Sequence, residues 1–277
     1  YRLSGEQFHW KSDSSVKLDG IIHPQHVIMC SYRSLSRCHY KSMNLRDYYF
    51  EQNNRTCISR QQASDFAKNI ANDFNPIHDP DNKRFCVPGD LLFALGIHRY
   101  GLSQQMRFNF SGLVGNGVTL NFPEADQPSI SITGDNNKTY LSIEKSGDTS
   151  HDEKLVQRLI CNYVTFSGQT FPHILIPLMA EKSVMINPQR PLIIYESMEI
   201  DLLRLDINEP ELVLSHSSLD VNGKRGKVSL SFSIKDADQI VGSGKKNMVL
   251  SGLRPYDEEQ VSQLVDIYDG RKRAYTA

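Results

Sequence analysis

The chain contains no run of eighteen apolar residues, so no segment is long and greasy enough to be read as a bilayer-spanning helix. It also lacks a basic stretch followed by a short apolar core, so no secretory signal is read at its start. Charge of one sign is missing as well: 31 Lys and Arg stand against 32 Asp and Glu, a formal balance of −1, which argues against a nucleic-acid surface or a polybasic membrane patch. Five cysteines, at 30, 38, 57, 86 and 161, are an odd number without paired spacing, which argues for reduced thiols rather than a disulfide framework. The expectation is a cytoplasmic protein with neither nucleic acid nor membrane as partner. With 277 residues and 39% apolar content it can bury one large core or two small ones.

Chemistry-bearing residues stand at a telling spacing in one place, Asp73-Phe74-Asn75-Pro76-Ile77-His78, followed by Val87-Pro88-Gly89 and an apolar run. Ser59 with Gln62 three positions on reads as a capping box. Ala63, Phe66, Ala67, Ile70 and Phe74 recur at helical spacing, which predicts a helix of about four turns ending near Phe74, with Asp73 at its C-terminal end. Pro76 cannot continue a helix and biases Asn75 toward extended geometry, so the chain turns and His78 can fold back toward Asp73. A carboxylate and an imidazole could then share one water. The bland alternative is that Asp, Asn and Pro are ordinary turn formers. Downstream, Leu91, Leu92, Phe93, Ala94 and Leu95 predict a helix buried on every side.

The pattern Asp-x-Asn-Pro-x-His after a Phe-Ala-containing helix resembles the MaoC-like (R)-specific enoyl-CoA hydratases, over about residues 58–125. The resemblance implies an α+β hot-dog fold, an antiparallel sheet wrapped around a central apolar helix. It also implies hydration of an enoyl thioester, or the reverse dehydration, without a cofactor or metal. Carried over, the catalytic roles fall on Asp73 and His78, which activate the water, and on the Gly89 N–H, which polarises the thioester carbonyl. Asn75, Pro88 and Asp90 are the implied substrate-binding neighbours. Asp90 departs from the family, which has an apolar residue there, and a second carboxylate would repel an enolate. A negative charge in the first turn suits the helix dipole, so its side chain is expected to face away. Over residues 55–275, in stretches such as 81–90 and 250–256, the chain also resembles a bacterial family of unknown function.

The second half repeats the plan. Leu155, Leu159, Ile160 and Tyr163 predict another helix, and Phe171-Pro172-His173 echoes Val87-Pro88-Gly89 at an offset of 84 residues. Strands are predicted at 106–110, 118–122, 192–200, 211–221, 227–234 and 240–250, with Gly115-Asn116-Gly117 and Asn222-Gly223 as turns. A double hot dog is therefore expected, with residues 43–150 as the first unit and 151–277 as a degenerate second unit. Nothing at 167–170 supplies a carboxylate, and His173 is read as a rim or interior histidine, so one site per chain is expected. Cys86 could be read as a nucleophile, but a lone Cys is more often a small buried apolar group. Pro255 is predicted to start a C-terminal helix with Val261, Leu264, Val265 and Tyr268 on one face and Arg271-Lys272-Arg273 in its last turn, docking on the sheet.

Residues 1–42 show no sustained periodicity and are expected to be a disordered or non-native extension, with Met43 as a candidate start. His23, His26, Cys30, Cys38 and His39 fall there at spacings that match no usual zinc site. Three functional readings stay open: an enoyl-thioester hydratase, a hot-dog thioesterase in which Asp73 directs water at the carbonyl carbon, and a non-catalytic acyl-CoA or acyl-carrier binding module. The expected partner is an acyl-CoA or acyl-carrier thioester, and the expected assembly is a monomeric pseudo-dimer or a homodimer.

Overall fold

The computed structural model describes residues 43–124 and 127–276, and the readings made above for residues 1–42 lie outside them. A ten-stranded, wholly antiparallel sheet forms the frame, in the order β1-β2-β4-β5-β6-β3-β8-β11-β10-β9. The first part of the chain supplies β1 (Phe50–Gln52), β2 (Arg55–Cys57), β3 (Leu102–Phe110), β4 (Thr119–Asn121), β5 (Ser129–Gly134) and β6 (Thr139–Ser150). The later part supplies β8 (Ile193–Leu202), β9 (Pro210–Asn222), β10 (Arg225–Asp236) and β11 (Gln239–Ser251). The two sets meet where Gln105 to Asn109 of β3 pair with Asp201 to Ser197 of β8. A two-stranded sheet pairs β7 (Val184–Met185) with β12 (Arg254–Pro255).

The helices are α1 (Arg60–Asn69), α2 (Gly89–Tyr100), α3 (Glu153–Gly168), the short α4 (Thr170–His173) and α5 (Leu175–Glu181), and α6 (Glu258–Thr276). Helix α2 is buried from Asp90 to Ile97, with His98 exposed near its end, and Leu91 to Leu95 lie beneath the sheet. Alongside it, α3 turns Leu155, Leu159, Ile160, Tyr163 and Val164 inward. An aromatic chain ties the layers together: Phe93 of α2 lies 4.8 Å from Phe108 of β3 and 4.4 Å from Tyr163 of α3, and Phe166 lies 5.2 Å from Phe232 of β10. Each part of the sheet thus has a buried helix packed on it, and the architecture is a double hot dog.

Several local expectations hold. The Ser59–Gln62 capping box is formed in both directions, Gly115 to Gly117 lie between β3 and β4, and β9 turns into β10 through Gly223 at φ +57°. Others are corrected. Helix α1 ends at Asn69 because Asn72 takes a left-handed conformation, φ +55°, which Asn tolerates. Asp73 therefore lies beyond the helix, its N–H donating back to Ala67 O at 2.8 Å. Pro255 sits in β12, and the last helix starts at Glu258, with Asp257 Oδ1 accepting from Gln260 N. Its basic residues also sit before the end: Arg271 precedes the final turn, where Arg273 lies. Strands β1, β2, β5 and β6 were not foreseen.

One backbone contact fixes where Asp73 stands. Gly168, the last residue of α3, packs so closely that a Cβ built on it would lie 1.8 Å from Ala71 O and 3.3 Å from Asp73 N. Both atoms are backbone and cannot swing aside. Gly168→Ala is expected to destabilise the protein by at least about 2 kcal/mol, the scale of an unrelieved overpacking clash, read as a lower midpoint in urea unfolding.

Candidate active site

A cavity of about 480 Å³ opens between the Asp73–His78 loop, the N-terminus of α2, the C-terminus of α3, strand β8 and helix α6. Such a volume is typical of a small-molecule site. Leu92, Phe110, Val114, Ile194, Met248 and Leu264 give it apolar walls, and Asp73, His78, Asp90, Ser167 and Lys246 give it polar ones.

The loop places its groups by local bonds. Asp73 Oδ1 accepts from Asn75 N at 2.9 Å, an Asx turn that leaves Oδ2 pointing toward His78. Asn75 in turn caps the short 3₁₀ turn Pro76–His78, its Oδ1 accepting from Ile77 N at 3.2 Å. His78 Nδ1 lies 2.8 Å from Cys86 O. A carbonyl can only accept, so Nδ1 carries the hydrogen, and in the neutral ring Nε2 is left as an acceptor. Nε2 is 3.6 Å from Asp73 Oδ2, too long for a direct hydrogen bond and suited to a group shared between them. The sequence-proposed pair is thus brought together at one wall of the cavity, with Asn75 lining it as an orienting residue.

Gly89 is the first residue of α2 and follows Pro88, which has no N–H of its own to offer. The first N–H groups of a helix have no intrahelical acceptor, and Gly89 and Asp90, at the positive end of the helix dipole, line the cavity. A Cβ on Gly89 would come within 2.6 Å of Tyr195 Cδ1, so glycine lets the β8 ring lie against the helix start.

Asp90 contradicts its expected outward orientation. It is 8% exposed, and its Oδ2 accepts from Ser167 Oγ at 2.6 Å. Ser167 Oγ also accepts from Lys246 Nζ of β11. The ammonium lies 4.3 Å above the Tyr195 ring, and the Tyr195 and Tyr163 hydroxyls are in hydrogen-bond contact. Asp90 faces inward because α3 and β11 present a hydroxyl and a cation to it, a pairing that reading α2 alone does not disclose.

Burial pushes the Asp73 carboxyl above the usual aspartate range; His78, the Asn75 N–H and Lys246 pull the other way, and Asp90 adds to the rise. Burial lowers Lys246, while Asp90 and Asp73 oppose that. The Cys86 thiol is pushed up to about 12 by burial and by Asp73, which removes it as a nucleophile at neutral pH.

Ser167, Lys246, Tyr163 and Tyr195 were missed by sequence reasoning, and so was the placement of Tyr268. Helix α6 docks across the cavity onto the Asp73 loop instead of onto the sheet. The Tyr268 hydroxyl sits within 3.3 to 3.4 Å of Asn72 O, Gly168 O and Phe74 N, and its ring packs edge-on against Phe74 and Phe171. Arg271 pairs with Asp79, which Lys68 also holds at 2.9 Å. His173 is exposed, beyond the polar cluster.

Two measurements check this electrostatic reading. Cys86 should resist iodoacetamide at pH 8 in the folded protein and react on unfolding. Burial alone would raise Asp79, but Arg271 and Lys68 outweigh it and hold the carboxyl below its ordinary range. A depressed folded value means that the stabilisation is present above the unfolded value and lost as pH falls through the folded one. Asp79→Asn is therefore expected to lower the melting temperature at pH 7 and to match the parent protein in strong acid.

Among solved structures the chain is similar to an acyl-CoA thioesterase II, TesB2, from Mycobacterium marinum (9% identity, 77% of this chain and 99% of the other, TM-score 0.40). It is similar also to a protein of unknown function with a hot dog fold from Alicyclobacillus acidocaldarius (8%, 75% and 97%, 0.41). A MaoC-like dehydratase is a third (9%, 74% and 99%, 0.36). No curated protein matches the chain. A family model described as "Protein of unknown function (DUF3581)" matches residues 43–259, more than half of the chain, and the protein belongs to that family.

Proposed function

We propose that this protein adds water to an enoyl thioester, or removes it from the 3-hydroxyacyl product, in the cavity between α2, α3, β8 and α6. The observation that carries the reading is the Asp73 Oδ2 to His78 Nε2 separation of 3.6 Å on the cavity wall, with the start of α2 lining the same cavity. Hydration removes one proton from water as its oxygen bonds the β carbon, and delivers one proton to the α carbon. A carboxyl and a neutral imidazole that hold one proton between them can do both. His78 Nε2 is free to accept because Nδ1 is committed to Cys86 O. The Gly89 N–H, at the positive end of α2, stabilises the charge that develops on the thioester oxygen, as preorganised donors do. The apolar walls hold the acyl chain.

The test is a spectrophotometric assay on short and medium trans-2-enoyl-CoA, following enoyl absorbance and free thiol together, with Asp73→Asn beside the parent protein. Loss of absorbance without thiol is expected, and Asp73→Asn should lower kcat by about 10² to 10⁴-fold, the usual worth of an acid–base group, with KM changed only a few-fold. Thiol release would make the protein a thioesterase. Silence with ligand still bound would make it a binding module.

A further inference from the structure

Two carboxylates line one cavity, and only one of them is tied to a cation through a hydrogen bond. Asp90 Oδ2 accepts from Ser167 Oγ, and Ser167 Oγ accepts from Lys246 Nζ, a chain that runs from α2 through α3 to β11. All three residues are at least nine-tenths buried, at 8%, 4% and 4% exposure. Asp90 Oδ1 has no hydrogen-bond partner among the described residues and is closed to water. A carboxylate so placed would be driven to take up a proton unless an opposite charge stood near, and a lysine buried without a counter-charge would be driven to lose one. Each therefore accounts for the other's charge. Among the described residues, Asp73 has no hydrogen-bonded link to a cation of this kind. Its contacts are the Asn75 N–H and the imidazole edge of His78.

We propose that Lys246, acting through Ser167, holds Asp90 as the ionised carboxylate of the cavity and leaves Asp73 as the one that carries a proton. Lys246 and Ser167 are thus positioning residues supplied by the later part of the chain, and Asp90 is a fixed charge, not a second acid. The proposal rests on the hydration reading for its meaning in catalysis: protonated Asp73 delivers its proton to the α carbon, and neutral His78 takes one from water. It also removes the objection that Asp90 would repel an enolate, because the ammonium cancels its charge locally. The direction of the Asp73 shift agrees. The titratable groups facing Asp73 are His78 and Cys86 from its own loop, Asp90 from α2, Lys246 from β11 and Tyr268 from α6.

The test is ¹³C NMR of aspartate-labelled full-length protein, with the two signals assigned by their loss in Asp73→Asn and Asp90→Asn. Turnover is not needed, so a protein silent in the enoyl assay still gives an answer. In the parent protein at pH 7, the Asp90 carboxyl should resonate in the ionised position, while Asp73 titrates above an ordinary aspartate because it is buried. Lys246→Met should move Asp90 to the protonated position at pH 7, and Ser167→Ala should move it part of the way. If Lys246→Met does not fold, Ser167→Ala is read in its place. An ionised Asp90 in folded Lys246→Met, an Asp90 unmoved in Ser167→Ala, or an Asp73 that titrates as an ordinary aspartate in the parent would each overturn the proposal.

Discussion

A charge buried between two helices must find its opposite, and here that requirement joins the two parts of the sheet. Asp90 enters from α2, Lys246 from β11, and the Ser167 hydroxyl at the end of α3 stands between them. Breaking such a pair costs more than never having built it, because one ion is left alone in a low-dielectric interior. The pairing therefore constrains how α2, α3 and β11 can sit relative to one another. All three elements also line the cavity, beside the Asp73–His78 loop, β8 and α6, so that constraint bears on its shape.

The backbone supplies a second constraint that acts on the Asp73 loop. Gly168 lets α3 approach Ala71 at a distance no other residue permits, and Tyr268 lies over the same turn, near Asn72 O, Phe74 N and Gly168 O. The Asx turn at Asp73 and the Asn75 cap then orient the carboxylate and imidazole with no further help from distant residues. The orientation of the two side chains is set within the loop, while the position of the loop and its electrostatics come from far away.

That division explains how much could be read beforehand. The capping box at Ser59, the turn at Pro76, the buried run after Gly89 and the four strands of the later part rest on spacings of a few residues, and period and turn chemistry report them directly. Strands β5 and β6 passed unread because Ser and Thr alternate with Ile in one, and the other runs out into polar, exposed residues. Asp90 was expected to face away because a negative charge in the first turn of a helix is already suited by the helix dipole. Its partners are 77 and, through Ser167, a further 79 positions away, separations at which sequence pattern carries no contact signal. The pair Lys245-Lys246, after Gly242, Ser243 and Gly244, reads as a surface stretch, yet Lys246 is 4% exposed. The end of α1 was misplaced for a simpler reason: the apolar spacing continues through Phe74, while Asn72 quietly reverses the chain.

The docking of α6 over the Asp73 loop also sets an order of events during synthesis. The Phe74 amide and the Tyr268 hydroxyl that it meets are 194 positions apart, so the ribosome releases the loop long before the helix that covers it. Leu264, Ile267 and Tyr268 of that helix supply one wall of the cavity that holds Asp73 and His78. The contact spans a long stretch of chain, of the kind whose closure entropy slows folding. The ability to enclose a ligand therefore waits for α6.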